Sequence, residues 1–213
     1  MIIKDRLYEI DDFGVVTQMD HRPFKYDQDY AAIYDSKKYT ISNDLLQALR
    51  FGFVIGAHGR MPGSLMDVGY GNGAFLKFAS KKIPYTMGHD VTGVALNGSY
   101  KMPEMVKADV YTFWDVLEHF PSCNFLHDLQ CDTICISLPF CHFHTQGLKW
   151  METWHHLKPD EHIRHFNPSS LKFFMASYGW RDVARSWHED IVRVGKDNPN
   201  ILSMAFKRSQ SFF

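Results

Sequence analysis

The spacing of hydrophobic and polar positions changes several times along the chain. Between residues 42 and 56 apolar residues recur at intervals of three and four, which predicts an amphipathic helix capped by Ser42 or Asn43. Residues 56–63 contain three glycines and a proline, which predicts a loop and the best internal boundary of the chain. Residues 1–26 show no sustained period, so we expect an irregular arm in which a small hairpin can form.

Beyond that boundary, strand and helix patterns alternate. Strands are predicted at residues 64–68, 84–89, 110–115, 132–138, 181–187 and 201–207. Helices are predicted at residues 74–82, 122–129 and 168–178, the last with Asn167 as its N-cap, Pro168 in its first position and Gly179 at its end. This alternation predicts an α/β fold with a Rossmann-like, doubly wound, mostly parallel sheet whose last strand is antiparallel.

The most informative segment is Asp67-Val68-Gly69-Tyr70-Gly71-Asn72-Gly73-Ala74, in which an apolar strand passes through three alternate glycines into a helix. Glycine permits a tight turn and close approach of a ligand, and a helix N-terminus offers unpaired N–H groups. The spacing also fits a nicotinamide dinucleotide site, with Asp90 about twenty residues further on. Asp67 favours a different ligand, because its carboxylate would repel pyrophosphate and attract the ammonium and sulfonium groups of S-adenosylmethionine.

Further segments extend this pattern in a fixed order. Together with the glycine loop, Gly88-His89-Asp90-Val91 resembles the class I S-adenosylmethionine-dependent methyltransferases, in which an acidic residue at the end of the second strand holds the ribose hydroxyls. Residues 113–119 resemble the end of the fourth strand in the subgroup of ubiquinone-biosynthesis, sugar and natural-product methyltransferases. Residues 134–139 fit the fifth strand and residues 161–171 the later helix, so the resemblance covers the chain from about residue 64 onward.

The resemblance implies a methyltransferase with S-adenosylmethionine as cofactor. Residues 1–60 would then be an N-terminal arm and helix packing on the core, and residues 61–213 the S-adenosylmethionine-binding domain. Asp115 has an alternative interpretation as the N-cap of the helix that follows it. The residues expected at the cofactor are Asp67, Gly69, Tyr70, Gly71, Asn72, Gly73, Asp90, Val91, Trp114 and Asp115.

The chain departs from the family pattern in one place. Only nineteen residues separate Asp90 from Asp109, too few for the usual helix, third strand and return. We therefore expect the third strand to be short or missing, with at most a fragment near residues 101–106. The family's carboxylate that contacts adenine after this strand has no obvious counterpart here.

Histidines supply the candidate catalytic groups. His119, His155 and His156 are the candidate general bases, in falling order of expected proximity to the methyl group, since a histidine suits proton removal from a hydroxyl. Residues 140–165 are expected to form a loop over the cofactor crevice whose aromatic side chains shape the acceptor pocket. For each histidine the alternative is a packed or solvated side chain without chemistry.

Two other features leave alternatives open. Residues 142–165 contain six histidines, but no spacing completes a zinc tetrad of the usual kind, so no metal site is expected. Tyr26 and Tyr30 precede the domain, where they either form a lid over the cofactor or simply pack.

Composition excludes several classes of protein. The 213 residues carry 23 basic and 24 acidic side chains, and without a basic excess a nucleic-acid partner is unlikely. The apolar runs are far shorter than a membrane span, the first residues lack the apolar core of a secretion signal, and four cysteines are too few for a disulfide scaffold. We expect a cytoplasmic methyltransferase acting on a small-molecule or sugar hydroxyl, with a nicotinamide-dependent oxidoreductase or a non-catalytic S-adenosylmethionine-binding protein as alternatives.

Overall fold

A computed structural model describes residues 1–26, 43–91 and 106–209, which form two sheets and four α-helices. The strands of the main sheet are β4 (Ser64–Val68), β5 (Tyr85–His89), β6 (Val110–Trp114), β7 (Thr133–Pro139), β9 (Trp180–Ser186) and β10 (Ile201–Arg208). The strands of the small sheet are β1 (Ile2–Ile3), β2 (Arg6–Ile10), β3 (Val16–Gln18) and β8 (Arg164–His165). The helices are α1 (Asn43–His58), α2 (Ala74–Ala79), α3 (Phe143–Thr153) and α4 (Pro168–Ser177).

The main sheet has the order β5-β4-β6-β7-β10-β9. Its first four strands are parallel, and β10 is antiparallel to both β7 and β9. This confirms the predicted α/β fold with an antiparallel last strand. The residues in which a third strand could lie, 92–105, fall outside the described residues, so the short or missing third strand stays a prediction.

Helices cover both faces of this sheet, and consecutive strand residues point to opposite faces. Leu65 and Val110 pack with α1 and α2 on one face, while Met66 and Tyr111 pack with α4 on the other. Because both faces are covered, β6 and β7 are buried along their whole length, and most of their residues are apolar. This placement sets the carboxyl ends of β4, β5 and β6 side by side.

The start and the end that the sequence predicts for α4 are both confirmed. Asn167 Oδ1 accepts the Ser170 N–H at 2.9 Å, and Ser170 Oγ accepts the Asn167 N–H at 2.9 Å, which is a reciprocal capping box. Pro168 occupies the first turn, where its missing N–H has no consequence. The predicted end is also correct, because Gly179 follows with φ of 83°.

Three helices differ from their predicted bounds, and one of them is α2, which ends at Ala79 instead of residue 82. The predicted loop at residues 56–63 is wrong in its first part, because α1 continues to His58. Gly56 faces open space within α1, and burial of Val54 and Ala57 outweighs the roughly 1 kcal/mol that a helical glycine costs. The helix predicted at residues 122–129 is only a 3-10 turn, Asn124–His127.

Residues 1–26 are more regular than the sequence predicted. Strands β1, β2 and β3 pair in antiparallel order, and β3 also pairs with β8. The buried side chains of Ile3, Tyr8 and Val16 pack against Trp154 and Leu157. The apolar surface that stabilises these strands thus comes from residues far away in the sequence, which a local pattern cannot show.

The segment predicted as a loop over the crevice, residues 140–165, contains α3 and β8. Gly147 interrupts α3 with φ of 75° and ψ of −169°, and this break obscures the helical period in the sequence. Trp150 Nε1 donates to Asp197 Oδ1 at 2.9 Å, which ties α3 to the β9–β10 connection. Among the described residues, no helix is both long and apolar enough to cross a membrane.

Candidate active site

The glycine loop connects β4 to α2 at the carboxyl end of the sheet. Gly69 has φ of 69°, and its N–H donates to the carbonyl of His89 at 2.7 Å, which joins the loop to the end of β5. A Cβ atom at Gly69 would lie 2.4 Å from Cγ2 of Val116, in the turn after β6. Residue 69 must therefore be glycine both for its backbone angle and for this close approach.

The loop is also tied to Asp90, just beyond β5. Gly71 has φ of 53°, and its N–H donates to Asp90 Oδ2 at 3.0 Å. Asn72 Oδ1 accepts the Ala74 N–H at 3.1 Å, and Gly73 has φ of 71° at the start of α2. The structure therefore brings together the loop residues and the acidic residue that the sequence placed at the cofactor.

Asp67 is buried within β4 and is only 2% exposed. Thr112 Oγ1 donates to Asp67 Oδ1 at 2.7 Å. Loss of solvation raises the pKa of Asp67 to about 7, while the Thr112 hydrogen bond and the positive charge of Arg50 oppose this rise. The Asp67 carboxylate thus lies on the α1/α2 face of the sheet, just before the glycine loop, and already accepts a hydrogen bond from Thr112.

Three further residues expected at the cofactor, Trp114, Tyr70 and Val91, differ in burial. Trp114 is buried, with its ring centroid 5.2 Å from that of Phe75 and 5.0 Å from the guanidinium carbon of Arg50. Tyr70 is buried in the same α1/α2 cluster, whereas Val91 is 72% exposed. A contact of these three side chains with the cofactor stays a prediction.

Asp115 does not cap the following helix, so that interpretation is wrong. The 3-10 turn Leu117–His119 begins after Val116 without a side-chain cap. The Asp115 carboxylate instead accepts two hydrogen bonds from Arg193, at 2.7 and 3.0 Å, and one from Arg50 at 3.2 Å. Its φ of 58° turns the chain at the end of β6, and aspartate tolerates this region better than most residues.

A fourth charged residue completes this group, which we call the Arg50–Arg193 network: Arg50, Asp115, Glu189 and Arg193. Glu189 is fully buried and accepts two hydrogen bonds from Arg50 at 2.9 Å and one from Arg193 at 2.8 Å. The two guanidinium groups hold the pKa of Glu189 well below its usual range, and the two carboxylates raise the pKa of Arg193. Two positive and two negative charges thus neutralise one another beside the glycine loop.

Of the four residues in this network, only Asp115 is among the site residues that the sequence predicts. Arg50 occurs in an amphipathic helix, and Glu189 and Arg193 occur in a polar connection, so each is typical of a solvated surface. The only local signal is the i, i+4 spacing of Glu189 and Arg193. Their burial depends on Arg50, which is 139 residues away from Glu189.

A second polar group lies after β6, and we call it the His119 cluster: Tyr26, Glu118, His119 and His162. The Tyr26 hydroxyl is 2.8 Å from His119 Nδ1, and the His119 and His162 rings pack edge to face with centroids 4.7 Å apart. Burial lowers the pKa of His119 to about 4 and that of His162 well below its usual value. Both imidazoles are therefore neutral near pH 7. The Tyr26 contact fits the predicted lid, and Tyr30 lies outside the described residues.

The other two candidate bases follow α3. His156 Nε2 is 3.0 Å from Asn200 Oδ1, and burial and the charge of His155 lower its pKa to about 4. The charge of Asp115 opposes this lowering of the His156 pKa. The His155 side chain is exposed, and its ring is tilted by 41° against that of His156, with the ring centroids 3.8 Å apart.

The sequence of this chain matches a known protein family over most of its length. Residues 42–185 match the sequence model of a family described as a methyltransferase domain, and the chain belongs to this family. It is a methyltransferase, and S-adenosylmethionine is its cofactor. The nicotinamide alternative is therefore wrong. No curated protein matches the chain.

Solved structures share the fold at low sequence identity. The Burkholderia thailandensis 1,6-didemethyltoxoflavin-N1-methyltransferase, bound to S-adenosylhomocysteine, has a TM-score of 0.55 and 14% identity over 95% of this chain and 99% of its own. Magnesium protoporphyrin IX methyltransferase from Synechocystis PCC 6803, also with S-adenosylhomocysteine, has a TM-score of 0.54 and 16% identity over 84% and 93%. An Archaeoglobus fulgidus methyltransferase has a TM-score of 0.55 and 17% identity over 86% and 100%.

Proposed function

We propose that the protein transfers the methyl group of S-adenosylmethionine to a hydroxyl group of a small molecule, with sugars and nucleotide-sugars as the first acceptors to test. The observation that carries this proposal is the presence of two neutral imidazoles with fixed hydrogen-bond partners, His119 after β6 and His156 after α3. A hydroxyl acceptor must lose a proton during transfer, and a neutral imidazole can accept it. The similar proteins act on a toxoflavin precursor and a porphyrin, which supports methyl transfer but no single acceptor.

On the cofactor side, we propose that Gly69–Gly73 lines the cofactor and that Asp90 binds the ribose hydroxyls. Support comes from the hydrogen bond between Asp90 and the Gly71 N–H, which holds the carboxylate at the loop. We assign Asp67 a supporting role, because its carboxylate is buried and already bound to Thr112. Asp115 serves the site through the Arg50–Arg193 network, which orients the turn after β6.

On the acceptor side, we propose His156 as the proton acceptor. Its Nε2 faces a side-chain carbonyl oxygen, Asn200 Oδ1, and so carries the proton in the neutral ring, which leaves the lone pair on Nδ1. His119 has Nδ1 at the Tyr26 hydroxyl and Nε2 3.8 Å from Glu118, and we assign it a positioning role on the acceptor. Holding acceptor and methyl in line supplies the rest of the rate enhancement.

The acceptor class is tested by measuring S-adenosylhomocysteine formation with a panel of nucleoside diphosphate sugars and catechols. For each acceptor that reacts, the matched deoxy compound lacks only the candidate hydroxyl, and we expect it to be inert. Turnover confined to acceptors whose nucleophile is nitrogen or carbon would contradict the proposal.

Replacement of Asp90 by alanine is expected to weaken S-adenosylhomocysteine binding ten-fold or more, because a charge-assisted hydrogen bond contributes about 1.5–3 kcal/mol. Asp90→Asn retains an acceptor for the Gly71 N–H and should fall between wild type and Asp90→Ala. Isothermal calorimetry measures these affinities. Asp182→Ala is the control and should bind as wild type does, because half-buried Asp182 lies on the edge strand β9 and pairs with Lys172. An unchanged affinity of Asp90→Ala would remove Asp90 from the site.

Replacement of His156 by alanine is expected to lower turnover about 100-fold with little change in cofactor affinity, since general-base catalysis contributes roughly 10²–10⁴-fold. His119→Ala should also lower turnover. Steady-state kinetics and calorimetry together measure the two quantities, with exposed His127→Ala as a control that retains activity. Normal turnover of His156→Ala would show that His156 is not the base, and normal turnover of His119→Ala would remove the positioning role of His119.

A further inference from the structure

Three side chains with metal-binding atoms meet at the acceptor side. Glu118 and His119 lie in the 3-10 turn after β6, and His162 precedes β8. Their ligand atoms all lie within 4.8 Å of one another. The Ile163 N–H donates to the Glu118 carbonyl oxygen at 2.8 Å, so the backbone itself holds the His162 segment against this turn.

The Glu118 carboxylate has no partner that explains its burial. Glu118 is 2% exposed, and within residues 1–26, 43–91 and 106–209 neither carboxylate oxygen has a hydrogen-bond partner. His162 is 4% exposed, and its Nδ1 also lacks a partner among the same residues. Buried carboxylates are normally paired or coordinate a metal ion, so a bound cation would give the Glu118 carboxylate the partner that the described residues do not supply.

We propose that Glu118, His119 and His162 bind a divalent transition-metal ion. Two imidazoles and one carboxylate are a donor set used for Zn²⁺ and Fe²⁺, and three protein ligands leave positions open for an exogenous ligand. Ligand atoms that lie about 2.1 Å from one ion in a tetrahedral site are about 3.4 Å apart. The ligand atoms here are up to 4.8 Å apart, so side-chain rotations that move each atom by about 1 Å would bring them to metal-binding distances.

The contact between Tyr26 and His119 fits a ligand role. A histidine that binds a metal through one nitrogen usually makes a hydrogen bond through the other, which fixes the orientation of the ring. His119 Nδ1 is at the Tyr26 hydroxyl, and its Nε2 is on the side of Glu118, 3.8 Å from Oε1. The spacing of histidines and cysteines along the sequence does not indicate this site, because its ligands come from two distant segments, one before and one after α3.

The role of the ion rests on the proposed function, whereas metal binding itself does not. An ion at this site would coordinate the acceptor hydroxyl and lower its pKa, which assists proton transfer to His156. Glu118, His119 and His162 then act as ligands, and the base stays a separate residue. The proposal therefore predicts that chelation slows methyl transfer while leaving cofactor binding intact.

Metal binding is tested on the full chain after treatment with a chelator, in the absence of cofactor and acceptor. We expect titration with Zn²⁺ to show one ion bound per chain by calorimetry, and Co²⁺ to give visible absorption bands of a protein-bound ion. Glu118→Gln and His162→Asn should each weaken Zn²⁺ binding at least 100-fold, whereas His127→Ala should not. Two separate ligand variants keep the test valid if one of them fails to fold.

Three outcomes would overturn the proposal: no stoichiometric binding of Zn²⁺ or Co²⁺ by the wild type, binding that survives both ligand variants, or equal loss of binding in His127→Ala. Methyl transfer that continues unchanged in chelated protein would overturn the catalytic role of the ion alone. The proposed function fails independently, if no hydroxyl acceptor yields S-adenosylhomocysteine with or without metal.

Discussion

Replacement of Glu189 by alanine is expected to lower the free energy of unfolding by about 3–5 kcal/mol, the range seen when one partner of a buried ion pair is removed. Glu189 is fully buried and accepts hydrogen bonds from Arg50 and Arg193. Without it, Asp115 is the only carboxylate left in the network, opposite two guanidinium groups. Urea denaturation followed by circular dichroism measures the change.

Two variants serve as comparisons for this prediction. Glu152→Ala removes an exposed carboxylate from α3 and should change stability by less than about 0.5 kcal/mol. Combining Glu189→Ala with Arg193→Met removes one of the stranded charges and should restore part of the lost stability. A loss below about 1 kcal/mol in the single variant would mean that solvent reaches the network.

Replacement of Gly69 by alanine is expected to cost about 2–4 kcal/mol and to weaken S-adenosylhomocysteine binding at least ten-fold. The new Cβ would lie 2.4 Å from Val116 Cγ2, and the φ of 69° is unfavourable for any side chain. The left-handed conformation costs about 1–2 kcal/mol and overpacking about 1–3 kcal/mol. The clash would push the glycine loop away from the turn after β6.

Gly71→Ala separates these two contributions. Its φ of 53° is equally left-handed, but no atom of the residues that the structure describes lies within 4 Å of the new Cβ, so only about 1–2 kcal/mol should be lost. Val116→Ala should restore only part of the stability that Gly69→Ala loses, because it removes the two methyl groups nearest the added Cβ but leaves the unfavourable φ of residue 69. Thermal unfolding and calorimetry check both effects, and equal destabilisation of the two glycine variants would argue against the clash.

How well the fold could be predicted depended on where the stabilising partners lie. The strand at residues 133–139 is buried along its whole length and has an apolar sequence, so its own residues identify it. Helix α4 carries its cap and its end within its own sequence. Tyr8 and Val16, in contrast, are buried by Trp154 and Leu157, and no local pattern shows that pairing.

The candidate site divides in the same way. The glycine loop and Asp90 could be predicted because backbone geometry at Gly69 and Gly71 requires these residues in a short, ordered segment. The Arg50–Arg193 network could not, because its members become core residues only when they meet in space. For Glu118, the sequence showed a charged side chain after a strand, and only the structure shows that its carboxylate is buried without a hydrogen-bond partner among the described residues.

The small sheet has a consequence for the order in which the protein is built during synthesis. Arg6 pairs with Asp160, 154 residues later, and Val16 pairs with His165 in β8. Strands β1–β3 therefore leave the ribosome long before the segment that completes their sheet, and their edges stay open throughout that time. A chain stalled before residue 160 would also lack β9 and β10 of the main sheet and the Glu189 and Arg193 partners of Arg50 and Asp115, so both sheets become complete only near the end of translation.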